Sequence, residues 1–419
     1  MSTTKEIGYF NSIFIKSFDF AETDNVANER YYIEEARIKG GFNETFMDLG
    51  VRAYAVNDDY SIIDRKNAMI YSGIYNSKTG VNETNQFPVG ASITKAVDIT
   101  DGSIQKLHAE DRELIILQED KCNAAGINKD FIFTAEGQPI STSSKIVIGQ
   151  VRTFLGVYGI SLNPESFAVR GNRKYFTDKK RGVVLRLTRD GLTEISNYGM
   201  RDYFKDNLKS NTKLIGMYDN VKDQYILHLK ETINTVGFDE TSKGWTSFYS
   251  YYPENGFTLN NKLYTFHKGN IYTHYENTDY NVFYGEPAVA SSVTAIMNTD
   301  TSVVKTFKTL GYEGTTGWFA TDIKTDLDDA AHTDFAVNIA KYQYDFNTDF
   351  ILPSMFQKKE NKYFSILQNA SIAGQENEVL FGDQVTGLKG MYMHATLKTS
   401  ENTKQELFTT LSEVVISSK

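Results

Sequence analysis

At 419 residues, 40% hydrophobic and 13% aromatic, this chain can bury a substantial core, which excludes disorder over most of its length. Its net charge of −9 denies the chain as a whole the electrostatic footprint of a protein that grips nucleic acid. No apolar run approaches the roughly 20 residues that cross a bilayer, so no membrane partner is expected. Cys122 is the single cysteine, which rules out an intrachain disulfide and suits folding in a reducing cytoplasm.

Along the chain, short strands predominate. Residues 1–60 read as an N-terminal segment of packing or connecting strands: 12–20 is β-like, and 33–38, with Glu34, Glu35 and Arg37, suits a charged strand or one helical turn. Residues 61–318 read as a β-rich core. Strands are expected at 69–71, 73–75, 104–107, 114–117 and 131–133, divided by Gly, Asn and Asp turns. A β-prone run at 175–177 leads through the polar turn 178–182 into 183–187. Asp190-Gly191 then supplies the positive-φ position that lets the chain reverse into 192–195. Further strands are expected at 214–218, 224–229, 245–251, 262–266 and 270–275. Met200, Tyr203, Phe204 and Leu208 have helical spacing and predict a short helix over 199–208.

Abundant Tyr and Phe with scarce Pro favour strands that pack aromatics across a sheet. Starts near Tyr175, Ile215 and Phe257 lie roughly 40 residues apart, about one four-stranded propeller blade. The expected class is therefore mainly β, a β-propeller-like repeat of antiparallel sheets with small additional β elements at the termini. β-Sandwich modules are the alternative. Residues 319–419 read as an acidic loop followed by a C-terminal closing segment. Before it, 291–298 and 303–308 are expected as two strands joined by 299–302, leading to the glycine-rich 311–317. The pieces 387–398 and 406–416 suit two strands, or a strand and a short helix, that close the domain against its beginning.

Catalytic constellations do not emerge. Cys122 lies between Lys121 and Asn123 with no histidine beside it, which suits a partly buried thiol rather than a nucleophile. Asp322, Asp326, Asp328, Asp329 and Asp334 surround His332, but neither the bending glycine nor the terminal Glu of a calcium loop is present, so a solvated acidic loop is expected. His267 and His274 flank a turn and read as packing residues, and Lys179-Lys180-Arg181 reads as a solvated turn. No catalytic residue, metal ligand or cofactor is assigned.

Several pieces carry a resemblance: the segment 156–208, Gly-Ser-Ile-Gln-Lys-Leu-His at 102–108, and Asn-Pro-Glu-Ser at 163–166. Downstream come Phe-Asp-Glu at 238–240 with Lys-Gly-Trp at 243–245, Leu-Asn-Asn-Lys-Leu-Tyr at 259–264, Phe-Lys-Thr-Leu-Gly-Tyr-Glu-Gly at 307–314, and Gly-Leu-Lys-Gly at 387–390. In this order they resemble a group of virion structural proteins of tailed bacteriophages, including crAss-like phages, that sit in the tail near a nozzle, muzzle or baseplate. The likeness spans roughly 30 to 415, and relatives of this kind often carry more sequence before it. It implies a noncatalytic tail component, folded in the host cytoplasm and resident in the virion, that assembles into a symmetric ring of its own copies and contacts adjacent tail proteins. DNA passing through the tail would touch it only passively. A β-propeller that binds or cleaves glycan at the host surface is the alternative, and an intracellular propeller scaffold is a third reading.

The aromatic run 245–252 is the candidate interface, carried by Trp245, Phe248, Tyr249, Tyr251 and Tyr252. Strict alternation sends Trp245, Tyr249 and Tyr251 to one face and Phe248 and Tyr252 to the other.

Overall fold

The computed structural model describes residues 65–417, except 74, 83, 85–92, 111–112, 134–138, 327–335, 343–354 and 371–385, together with the backbone of two paired strands, Asn11–Phe18 and Glu29–Ala36. Strand accounts for 52% and helix for 7%, which makes the fold mainly β. The chain divides into two compact units, Met1–Ile271 and Tyr272–Lys419.

The first unit is a succession of antiparallel meanders taken in chain order. Ile104–Glu110, Glu113–Gln118, Cys122–Phe133 and Pro139–Thr153 form one four-stranded sheet. Ala168–Arg170, Arg173–Asp178, Val183–Thr188 and Gly191–Glu194 form the second. Leu214–Asp219, Gln224–Leu229, Asn234–Asp239 and Gly244–Tyr249 form the third, and Asn255–Leu259, Lys262–His267 and Asn270–Thr273 make a three-stranded fourth. This is the propeller-like repeat of antiparallel sheets that the spacing predicts. The start expected at Tyr175 falls in a second strand, because Ala168–Arg170 is too short to show a period in sequence.

The third sheet is built from a ten-residue module, six residues of strand and four of turn, beginning at Leu214, Gln224, Asn234 and Gly244. The last turn residue of each module, Asp223, Ile233 and Lys243, has a φ of 53°, 54° and 49°. That left-handed residue returns the chain into the next strand with the twist an antiparallel pair requires.

Side chains of period two stack these sheets on one another. From the second sheet, Phe176, Leu185 and Leu187 pack with Ile115, Leu117 and Cys122 of the first. Their neighbours Tyr175 and Val184 point the other way and pack with Leu214, Tyr225, Leu227 and Phe238 of the third. A sheet covered on both faces needs apolar residues at successive positions, which is why 183–187 reads as a nearly continuous hydrophobic run. The helix Arg201–Ser210 buries Phe204 and Leu208 in the same cluster, with Met200 and Tyr203 alongside. The amide of Asn211, at its C-terminal end, donates to Asn207 O at 2.7 Å and its carbonyl accepts from Glu231 N at 2.7 Å. Tyr175 stacks on Tyr225 at 5.0 Å between ring centres and donates to Glu240, whose carboxylate also holds Arg186.

In the second unit, strands far apart in sequence pair. Met393–Thr399 lies between Ser291–Met297 and Phe319–Thr325, and Lys305–Phe307 lies between Leu388–Gly390 and Val414–Ile416. The two strands expected at 291–298 and 303–308 thus belong to different sheets. A further sheet runs Gln357–Lys359, Lys362–Ile366, Thr309–Gly314 and Leu407–Leu411. Its inner face carries Tyr312 stacked on Tyr363 at 4.7 Å and edge-on to Phe356 at 4.9 Å, in a core shared with Phe307, Trp318 and Leu397.

Candidate assembly surface

Gly244–Tyr249 is the edge strand of the third sheet, and its aromatics divide differently from strict alternation. The register runs Gly237 opposite Ser247 and then Phe238 opposite Trp245, so Thr246 is an extra residue in a β-bulge. An inserted residue inverts the facing of everything before it. Trp245 and Phe248 therefore share the face that meets the helix: Trp245 lies 4.5 Å from Phe204 and donates its Nε1–H to Ile195 O at 3.0 Å, and Phe248 meets Tyr203 edge-on at 5.6 Å. On the other face Gln224 donates to Thr246 Oγ1 at 3.1 Å and accepts from the Tyr249 hydroxyl at 2.7 Å, while Lys222 Nζ sits 4.9 Å above the Tyr249 ring.

Tyr251 is buried, with its ring 5.2 Å from that of Tyr249. Tyr252 packs edge-on to the buried His267 at 4.9 Å. Among the five aromatics Phe248 alone is largely exposed, at 61%. The bulge, a property of strand pairing, leaves no mark in the residue pattern of 245–252.

The residues weighed for chemistry have structural engagements. Cys122 is buried, its Sγ 3.2 Å from Tyr158 O, and burial pushes its thiol pKa far up, opposite to what a nucleophile needs. Asp178 is fully buried in the turn read as solvated. It accepts from Gly159 N, Ser161 Oγ and Arg181, while Lys180 and Arg181 reach Asp120 at 2.7 and 3.1 Å. That turn is thus a clasp between the first two sheets. Asp239 caps its own turn through Thr241 N and Ser242 N, both at 3.1 Å. Of the acidic cluster, Asp322 pairs with Lys324 at 2.9 Å, and Asp326 accepts from Met391 N at 2.7 Å; Asp328, Asp329, His332 and Asp334 lie outside the described residues. Among the described residues no group of three His, Cys, Asp or Glu side chains converges as a metal site would require. His274 packs among Tyr275, Phe283 and Tyr284. An open groove of about 430 Å³ in the second unit, lined by Phe319, Thr321, Asn338, Lys341 and Ser400 among others, has no carboxylate in its lining.

His228 carries no ligand or catalytic motif around it in the sequence. It is buried, with Nδ1 2.9 Å from Thr235 Oγ1. The Thr235 hydroxyl donates to Tyr251 O at 2.5 Å, so its oxygen can accept from the His228 ring. Burial pushes its pKa down to about 4.

Repeated meanders whose polar residues close turns and join sheets define a mainly β protein of repeated antiparallel sheets. Two family models match the chain: Crassvirus muzzle protein over residues 89–269 and Crassvirus muzzle protein C-terminal domain over residues 278–370. The chain belongs to the Crassvirus muzzle protein family and is a structural component of the phage tail. The gap between the two matches brackets the division of the structure at Ile271. Comparison with curated proteins gives no match. Among solved structures, a nidogen/laminin complex aligns with 41% of this chain and 75% of its own at 16% identity and a TM-score of 0.22. A streptogramin B lyase aligns with 74% and 96% at 12% identity and a TM-score of 0.24. Both scores are too low for the fold or activity of either to be carried over.

Proposed function

We propose that the chain is a noncatalytic tail component that assembles with its own copies into a symmetric ring and holds adjacent tail proteins. The observation that carries this reading is Phe248, a large aromatic exposed on an edge strand whose neighbours Trp245, Tyr249 and Tyr251 are already committed inside the chain. Aromatics of this kind concentrate at the centres of protein contacts, and an edge strand presents its backbone beside them. A symmetric ring uses such a surface once per copy. Where DNA passes through the tail, an acidic surface touches it without adhering. The acidic excess lies in the second unit: residues 272–419 hold 11 Lys and Arg against 19 Asp and Glu, while residues 1–271 hold 33 against 34.

Light scattering and electron microscopy of the full purified chain test this reading. Wild type should form rings, and Phe248→Ala should stay folded but lose them. Tyr251→Ala should instead cost about 3 kcal/mol of stability, because it empties a buried site. A wild-type chain that is monomeric in isolation and absent from purified particles would remove the structural reading.

A further inference from the structure

Ser291–Met297 is an edge strand of the second unit, paired on one side with Met393–Thr399 in unbroken register from Ser291 opposite Thr399 to Met297 opposite Met393. Among the described residues no backbone hydrogen bond reaches its other side. Every second residue of such a strand turns its N–H and C=O away from the partner, so a row of donors and acceptors stands open. The faces are open too, with Ile296 exposed at 69% and Val293 at 46%.

Folded sheets guard an open edge with a charge, a proline, a bulge or brevity. Ser291–Met297 has none of these. It runs seven residues without a register shift, and the chain carries neither a charge nor a proline between Pro287 and Asp300, although 11 Lys and Arg and 19 Asp and Glu share residues 272–419. Every other edge strand among the described residues is shorter, charged or interrupted by a register shift. Gly244–Tyr249 has the bulge at Thr246, Leu407–Leu411 the shift beside Gly314, and Gln357–Lys359 only three residues, two of them lysine. Phe319–Thr325, at the far edge of the same sheet, carries Asp322 and Lys324 and is bridged to Ile339 at Ala320.

We propose that this edge pairs with the same strand of a second copy, antiparallel, about a two-fold axis at Thr294. A charge near that axis would face its like across the pair, so an uncharged strand is what this occupant requires. The register that pairs all seven residues sets Thr294 opposite Thr294, Val293 opposite Ala295, Ser292 opposite Ile296 and Ser291 opposite Met297. Each larger apolar side chain thus meets a small one. Met297 packs on the core of its unit, and opposite residues of a pair share a face, so the two cores come to lie on the same side of one continuous six-stranded sheet. The open backbone groups of both copies are satisfied in the same step. A two-fold contact closes on itself, so it joins copies in pairs and stands apart from the contact that closes a ring.

The test uses the full chain. Thr294→Cys brings two thiols across the axis with Cα atoms about 5 Å apart, within reach of a disulfide, so oxidised glutathione should yield covalent dimers on a non-reducing gel. Ser292→Cys alone should not, because its twins lie about 13 Å apart, but it should cross-link to Ile296→Cys when the two chains are mixed. Thr294→Lys, in a chain that also carries Phe248→Ala, should raise the concentration for half-dimerisation at least tenfold by light scattering. Its melting temperature should stay near that of Phe248→Ala, because Thr294 is exposed. Dimers that survive Phe248→Ala support the pairing whether or not wild type forms rings. A Phe248→Ala chain monomeric at every concentration, no cross-link from Thr294→Cys, or Ser292→Cys cross-linking as readily overturns the pairing and leaves the ring reading standing. Dimers that Thr294→Lys leaves intact, or cross-linking of this strand in virions only to a different tail protein, overturn it too.

Discussion

Two residues hold conformations or protonation states that the fold imposes on them. Ile233 sits at a φ of 54° with its side chain 63% exposed, in a module position where Asp223 and Lys243 make the same turn. The left-handed region costs an L-residue about 1–2 kcal/mol, and a β-branched side chain tolerates it least. Ile233→Asn should therefore stabilise the protein by about 1 kcal/mol, a rise of roughly 1–2 °C in melting temperature. A fall would mean that the exposed isoleucine makes contacts worth more than the strain. His228 has its pKa held down at about 4, from an ordinary 6.5. Its neutral form is favoured on folding, so this contribution is complete above about pH 6.5 and is lost as pH falls toward 4, because the unfolded chain takes up the proton first. The full difference is about 3 kcal/mol. Melting temperatures between pH 7 and 4.5 should fall less steeply in His228→Gln than in wild type; parallel curves would assign the acid sensitivity to other groups.

At the scale of elements, close backbone approach decides where the second and third sheets meet. A Cβ built on Gly216 would lie 1.9 Å from Ser166 O, the carbonyl that the Tyr225 hydroxyl also contacts at 2.8 Å. Gly216→Ala forces the strand Leu214–Asp219 away from the short helical turn Pro164–Ser166 and should cost about 3 kcal/mol. Gly244 is the control: its nearest neighbours in the Cβ direction are 3.9 Å away, so Gly244→Ala should change stability by less than about 1 kcal/mol. Thermal melting of the two variants checks the contrast, and equal melting temperatures would show that the sheets yield at this point. The bulge at Thr246 works at the same scale, since one inserted residue places both Trp245 and Phe248 against the helix.

The whole chain separates its charge by unit, nearly neutral through residue 271 and strongly acidic beyond it. That separation leaves Phe248 in the nearly neutral part of the chain. A contact through Phe248 is apolar and should hold or tighten as salt rises. Assembly of wild type between about 0.05 and 0.5 M salt, where the screening length drops from roughly 14 to 4 Å, should therefore not fall, and a loss as salt rises would assign the ring to charged contacts instead.

The amino-acid sequence by itself determined the local architecture. Strand and turn chemistry act over a few residues, so 183–187, 224–229 and the helix around Phe204 and Leu208 were legible, and the pieces at 102–108, 238–245 and 307–314 pointed to the family that the models then matched. The ten-residue module is harder to read, because Gly237 interrupts the strand Asn234–Asp239 that continues it. Only the tertiary structure decided what depends on partners distant in sequence: the pairing of Lys305–Phe307 with Val414–Ile416, the bulge that regroups Trp245 with Phe248, and the burial that keeps His228 neutral. The pattern of a strand states which residues alternate. Which of them meets a neighbour, and which remains exposed as Phe248 and Phe408 do, is set by registers and stackings that no stretch of residues encodes alone.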